Sequence, residues 1–297
     1  MTARPAVSAL GTLVAGIVDY AGLFPPAALD MRTAVANYAA YRTSTDAELL
    51  GRFVTPVARL QEWIDAIATL APDEATAWNG ARLSALLSGE FASEAEAITA
   101  FNGTSPFGVR IDVAEGRTAT ADSVLAMAAA MPDDVTLYCE LPHRDDPAIL
   151  IDAVKSATVR AKLRTGVTPP AEIVRFLRRC SEAGVTCKVT AGLHHPLRGE
   201  FRLTYASDAP RGEMYGFLNL FLAAAAIRSG VDDDAATRIL LVTDAADLRI
   251  SASSIVVLGV ELDQDALQSL RESGVVAFGS CSYREPVDEL AALFPAS

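Results

Sequence analysis

The stretch that decides the fold runs from Val159 to Pro196: VRAKLRTG at 159–166, a helical segment near Pro170–Ala183, then VTCKVTAGLHHP at 185–196. It reads as strand, helix, strand, with one lysine inside each strand. Lysine is scarce. Only Lys155, Lys162 and Lys188 occur among 25 basic residues, and the rest are arginine. An ammonium buried without a partner is costly, so Lys162 and Lys188, both inside expected strands, need a reason to be there. Pro170 suits a first helical turn, where the missing N–H is no loss, and Gly184 suits a helix stop.

The same rhythm extends in both directions. Strands are expected at Leu13–Val18, Leu50–Thr55, Arg82–Ser88, Phe107–Val113, Val135–Leu141, Val159–Arg164, Val185–Thr190 and Val275–Gly279. Helices are expected between them, near Leu29–Tyr41, Leu60–Leu70, Ser93–Phe101, Ala119–Met131, Pro147–Ser156 and Pro170–Ala183, with a last one at Pro286–Leu293. Strand–helix alternation with right-handed crossovers gives a parallel sheet. Eight strands, several starting only about 25 residues apart, favour a closed (β/α)8 TIM barrel over an open doubly wound sheet. No Gly-x-Gly-x-x-Gly follows the first strand, so nothing points to a dinucleotide. The chain reads as one barrel domain over 1–297.

The rhythm breaks between the seventh and eighth strands. There, 196–262 reads as an inserted elaboration: a loop at Pro196–Gly212, an apolar helix, a second helix near Asp232–Leu241 and a hairpin across Leu248–Leu262. The helix over 214–228 is apolar almost all round, which marks it as buried, either as the barrel's seventh helix or as a subunit contact. The expectation is an insertion that covers the barrel mouth or builds a homodimer through that helix.

Composition narrows the function. With 51% hydrophobic and 21% charged residues the chain is globular. A net charge of −12 argues against a nucleic-acid backbone or an anionic membrane surface as partner. Four scattered cysteines, Cys139, Cys180, Cys187 and Cys281, without a Cys-x-x-Cys pair, give neither a zinc site nor a disulfide framework. The apolar run Ala6–Val18 after Arg4 mimics a short signal peptide, but it carries Ser8, Gly11, Thr12 and Gly16 and lacks a strong basic start. It reads as a first buried strand of a cytoplasmic protein.

Side chains alternate across a strand, so polar residues two apart share a face. Arg110 and Asp112 oppose Val109, Ile111 and Val113; Thr136, Tyr138 and Glu140 oppose Val135, Leu137 and Cys139. Arg160, Lys162 and Arg164 oppose Val159, Ala161 and Leu163, and Thr186, Lys188 and Thr190 oppose Val185, Cys187 and Val189. If the apolar faces pack under helices, the charges point into the barrel, which normally holds branched apolar layers. Internal salt bridges alone could account for them. Yet buried ion pairs seldom repay their desolvation, and ionisable clusters at the C-terminal ends of barrel strands mark functional sites.

A lysine among other cations loses its proton more readily and becomes a nucleophile. Arg164 lies roughly 6–7 Å along the strand from Lys162, and Lys188 stands on the next strand. Such a set suits Schiff-base formation with a carbonyl compound, with Asp112 and Glu140 moving protons.

The residue order resembles class I aldolases of the deoxyribose-phosphate aldolase type. Lys162-Leu163-Arg164-Thr165-Gly166 is similar to that family's Lys-x-x-Thr-Gly on the sixth strand, and Lys188-Val189-Thr190-Ala191-Gly192 to its second lysine ahead of glycines on the seventh. Gly279-Ser280-Cys281-Ser282 is similar to its phosphate loop after the eighth. The resemblance implies Lys162 as imine former, Lys188 as the neighbour that lowers its pKa and Asp112 as proton-transfer partner. Arg164 and His194-His195 depart from the family pattern.

Catalysis is therefore expected of Lys162, Lys188, Asp112 and Glu140. Substrate contacts are expected of Arg52, Asp19, Arg164, Thr165, Gly166, Thr190, Gly192, His194, His195, Gly279, Ser280 and Ser282. Inward cations would repel a divalent metal, and no cofactor motif occurs, so neither is expected. His143 reads as a solvated turn, and Cys281 would need a histidine beside it to act as a nucleophile. The reading is a lyase acting on a small phosphorylated or carboxylated carbonyl compound through a lysine imine. Alternatives are an isomerase, hydro-lyase or decarboxylase using Lys, Glu and His without an imine, or an anion-binding barrel without catalysis.

Overall fold

Runs of apolar and β-branched residues pair side by side in the computed structural model, which describes residues 8–295. They form β1 (Val18–Tyr20), β2 (Leu50–Pro56), β3 (Arg82–Leu86), β4 (Arg110–Arg117), β5 (Thr136–Glu140), β6 (Arg160–Arg164), β7 (Cys187–Thr190) and β8 (Val275–Ser280). All eight pairings are parallel, and β8 closes the ring between β7 and β1. The expected (β/α)8 barrel is the fold.

Local chemistry sets the element ends. Asp30 caps the helix Met31–Arg42, its carboxylate accepting from Thr33 N at 2.9 Å, and Thr120 caps Ala121–Ala130 in the same way. Pro170 opens the helix Pro170–Ala183, and Gly184 ends it in the left-handed region at φ 67°, which a side chain would resist. The outward strand faces and the helices bury one continuous apolar core.

Two expectations are corrected, and a third choice is resolved. The run Leu13–Val18 is not a strand. Ser8 caps a short helix, Ala9–Val14, whose Ala9, Leu13 and Val14 are buried, and β1 begins only at Val18. Short apolar runs have no periodicity to separate strand from helix. The beginning of the signal-like run, Arg4 to Val7, lies outside the described residues.

Second, the 196–262 elaboration does not form one cover. A hairpin, Gly199–Arg202 against Arg211–Met214, follows the C-terminal end of β7. The antiparallel strands Leu248–Ile250, Ser254–Val257 and Val260–Asp263 instead pack on the Ala9–Val14 helix, at the N-terminal end of the barrel.

Of the two readings of the apolar helix, Phe217–Arg228, the packing matches the first: it is the barrel's seventh. Phe217 stacks on Phe278 of β8 with ring centroids 4.8 Å apart. The helices Pro170–Ala183, Asp233–Leu240 and Gln264–Ser273 cover its other sides. Every residue from Phe217 to Ile227 is buried within the chain.

Candidate active site

Barrel enzymes place their chemistry at the C-terminal ends of the strands, and this barrel gathers its buried charges there. Glu140, Lys162 and Lys188 are register partners on β5, β6 and β7. Two lysines side by side repel each other unless anions intervene, and three carboxylates do so. Lys188 Nζ donates to Asp19 Oδ2 and to Glu115 Oε1, each at 2.6 Å. Lys162 Nζ lies 2.8 Å from Glu115 Oε2 and 3.0 Å from Glu140 Oε2. The expected convergence of Lys162, Lys188 and Glu140 is present, and Glu115 of β4 joins the two amines.

Glu115 was not foreseen, for two reasons. The expected fourth strand ends at Val113, whereas β4 runs to Arg117 before the helix capped by Thr120. Pairing with β3 also slips: Leu83 faces Ile111 but Ser84 faces Val113, leaving Asp112 as an extra residue. Such a bulge reverses the alternation beyond it. Glu115 thus takes the inward face that strict counting from Asp112 assigns to the helix side. Its one sequence signal is a lone carboxylate in the run Val113-Ala114-Glu115-Gly116, short of the Thr120 cap.

Asp112 is elsewhere. Near the N-terminal end of β4 it holds Arg52 in a two-pronged ion pair, 2.7 Å from Nε and 2.9 Å from Nη2, with Arg82 at 4.0 Å. Neither Asp112 nor Arg52 meets the lysines through its side chain. Asp19 is 1% exposed and accepts both Lys188 and the backbone N–H of Arg52 at 2.8 Å, so it belongs to the interior network and not to a substrate surface.

The electrostatics follow from these contacts. Burial alone would lower the Lys188 pKa, but Asp19 and Glu115 outweigh it and raise it above the usual lysine value. Lys188 is a locked cation rather than a loosened base. Glu115 responds in the opposite direction: burial opposes its charge, yet the two lysines hold it well below the usual carboxylate range. Ser84 Oγ adds a hydrogen bond to Glu115 at 2.5 Å. The Tyr138 ring lies 5.5 Å from Lys188 Nζ, with the Tyr138 hydroxyl accepting from Arg160 at 2.9 Å.

Above the lysines opens a cavity of about 390 Å³, lined by Lys162, Lys188, Glu115, Arg164, Thr190 and His194 among others. A lobe of about 360 Å³ toward Gly89 and Glu140 shares Lys162, Arg117 and Arg164 with it. Both fall within the size of small-molecule sites. Arg117, also missed from sequence, bonds Glu140 at 3.1 Å, and Arg164 lies 4.0 Å from the same carboxylate. Their side chains are largely in solvent at the rim. Four cations, Lys162, Lys188, Arg117 and Arg164, stand with three carboxylates, Asp19, Glu115 and Glu140.

No family model matches this chain, and no curated protein matches it significantly.

The remaining expected residues divide. Thr190, Gly192, Gly279 and His194 line the cavity. Thr165 does not: it is fully buried, and its hydroxyl donates to the carbonyl oxygens of Ala191 at 2.7 Å and Thr190 at 3.2 Å. Gly166 serves the same junction. A Cβ on Gly192 (φ +71°) would sit 3.3 Å from Gly166 Cα, so the two mouth loops touch through their glycines. Ser280 is 1% exposed and lies 3.4 Å from His194 Nδ1. Ser282 Oγ accepts from Glu285 N at 3.2 Å, beside the first turn of the helix Arg284–Leu293. His195 bonds Glu289 at 2.9 Å and stacks on Phe201 of the hairpin, beside an adjoining space of about 220 Å³ that shares His194 with the cavity. His143 is not merely solvated; its Nε2 is 2.8 Å from Thr168 Oγ1.

No group of side chains among the described residues is arranged to hold a metal ion. Likewise, no helix there is long and apolar enough to cross a membrane.

Proposed function

We propose that the cavity is the active site of a lyase that cleaves or forms a carbon–carbon bond in a small anionic carbonyl compound through an imine on Lys162. The carrying observation is the Lys162 amine itself, on the cavity floor between Glu115 and Glu140 at 2.8 and 3.0 Å. An amine flanked by two carboxylates has a proton acceptor within reach, and Glu140 becomes a proton donor once it has taken the amine's proton.

In this reading Lys162 gives a proton to Glu140 and attacks the carbonyl carbon. The carbonyl oxygen takes one proton from the attacking nitrogen and a second from the protonated Glu140, and leaves as water, giving the iminium. The bond between the α and β carbons then breaks, its electron pair flows into the iminium to form an enamine, and a carboxylate accepts the proton released from the β hydroxyl. Lys188 keeps Glu115 ionised and in place. Arg117 and Arg164 receive the carboxylate or phosphate of the substrate.

Incubation with small aldehydes and keto acids followed by borohydride reduction tests this. A stable adduct on the peptide containing Lys162, absent from Lys162→Met and Lys162→Arg, is expected. Turnover of an identified substrate without an adduct, and unchanged in Lys162→Arg, would overturn it. A second reading is favoured by the raised Lys188 pKa: Lys188 acts as a fixed cation that stabilises an enolate while Glu140 moves the proton, as in an isomerase or decarboxylase without an imine. It predicts turnover with no adduct.

A further inference from the structure

On the cavity wall, away from the lysine cluster, stands a second group of reactive side chains. Cys281, directly after β8, is 6% exposed and lines the same cavity. Its sulfur lies 4.0 Å from both ring nitrogens of His194, which also lines it. Glu285, from the first turn of Arg284–Leu293, holds His194 Nδ1 at 3.2 Å. Tyr205, on the turn of the Gly199–Met214 hairpin, donates to Glu285 at 2.8 Å and reaches the sulfur at 3.6 Å. A nucleophile, an imidazole beside it and a carboxylate that orients the imidazole are the parts of an activated thiol. Thiol–imidazole contacts in an empty site are commonly longer than in the bound one.

We infer that Cys281, His194 and Glu285 form a second nucleophilic centre, which binds aldehyde-bearing ligands covalently as a thiohemiacetal. The sulfur adds to the carbonyl carbon, the C=O π bond opens, and the resulting oxygen takes the thiol's proton by way of His194. No electrons are gained or lost overall, and the step reverses by the same path. It does not depend on the imine at Lys162.

The surroundings favour this cysteine over the others. Cys139, Cys180 and Cys187 are at most 3% exposed. Burial pushes the Cys139 thiol up to about 12 and raises the Cys180 thiol as well. Burial would lower the His194 pKa, but its bonds to Cys281 and Glu285 outweigh that and lift it to about 9. A cationic imidazole is the form that supports an anionic sulfur. The titratable groups facing the sulfur are His194, Glu285, Tyr205 and, from β1, Tyr20.

Alkylation of the full-length chain by iodoacetamide at pH 7, read peptide by peptide, tests the proposal. Cys281 should react at least tenfold faster than any other thiol, and His194→Gln should slow it about tenfold. Should His194→Gln not fold, Glu285→Gln and Tyr205→Phe replace it, each with a several-fold loss. Glyoxylate, an anionic aldehyde, should protect Cys281 in the wild type and in Lys162→Met alike, whereas glycolate, which lacks the carbonyl, should not. Equal protection by glycolate, protection that requires Lys162, or unchanged alkylation in the His194 and Glu285 variants would each overturn it.

Discussion

Replacing Glu115 with glutamine puts the central claim at risk, because this one carboxylate joins both lysines. The amide keeps the volume and can still accept from one amine, but the charge is gone. Lys188 then retains Asp19 and Lys162 retains Glu140, so neither ammonium is left entirely without a partner. Removing one member of a buried ion pair destabilises by about 3–5 kcal/mol. The remaining partners place Glu115→Gln near the lower end, about 3 kcal/mol. For a chain of this size that corresponds to a Tm lower by roughly 6 °C. Thermal and urea unfolding measure it directly. The pH profile supplies a second check. Because the folded-state pKa of Glu115 is depressed, its contribution is present above the unfolded value, about 4.3, and is lost as pH falls below that. The wild type should therefore lose stability steeply below about pH 5, and Glu115→Gln should have a shallower acid limb. A loss under about 1 kcal/mol with an unchanged acid limb would refute the bridging role.

Three further outcomes are expected. Arg117→Ala and Arg164→Ala, both at the solvent rim, should leave Tm within about 1 °C while weakening protection by phosphate or glyoxylate several-fold in a thermal-shift titration; undiminished anion binding in the double variant would remove them from the site. Gly192→Ala should destabilise by about 1–2 kcal/mol, because φ is +71° and its Cβ would press on Gly166 Cα at 3.3 Å, and unfolding titrations measure this. His194 is raised in the folded state to about 9, so its contribution is full below about pH 6.5 and is lost as pH rises toward 9. His194→Gln should flatten that part of the stability profile by on the order of 2 kcal/mol.

The barrel was legible because its signal is redundant. Each of β2 to β8 overlaps an expected strand, and the capping residues that bound the helices are local: Gly184 stops a helix whatever surrounds it. What failed was the reading that needed tertiary partners. Ala9–Val14 is as apolar as a strand, and only its packing on Gln264–Ser273 and the sheet around Ser254–Val257 makes it a helix closing the barrel end. The apolar helix Phe217–Arg228 was correctly read as buried, but periodicity carries no information on whether the cover comes from the same chain. Here it comes from three neighbouring helices.

The site shows how a single inserted residue redirects a functional inference. Strict alternation worked on β5, β6 and β7, where Glu140, Lys162 and Lys188 all turn inward as counted. On β4 the bulge at Asp112 shifts the count by one, and counting then selects the wrong carboxylate. The two acids have opposite surroundings. Asp112 meets Arg52 at the N-terminal end, where the pair braces the barrel. Glu115, three residues on, is drawn between two ammonium groups that would otherwise repel. That requirement could have corrected the count, because two lysines in register on adjacent inward faces demand an anion between them. Asp112 sits too near the start of its strand to supply it, and Glu115 is the next acid along β4. Charge balance across register partners therefore constrains such an interior where alternation fails, and it makes the Glu115 variants the sharper probes of how the lysines are held.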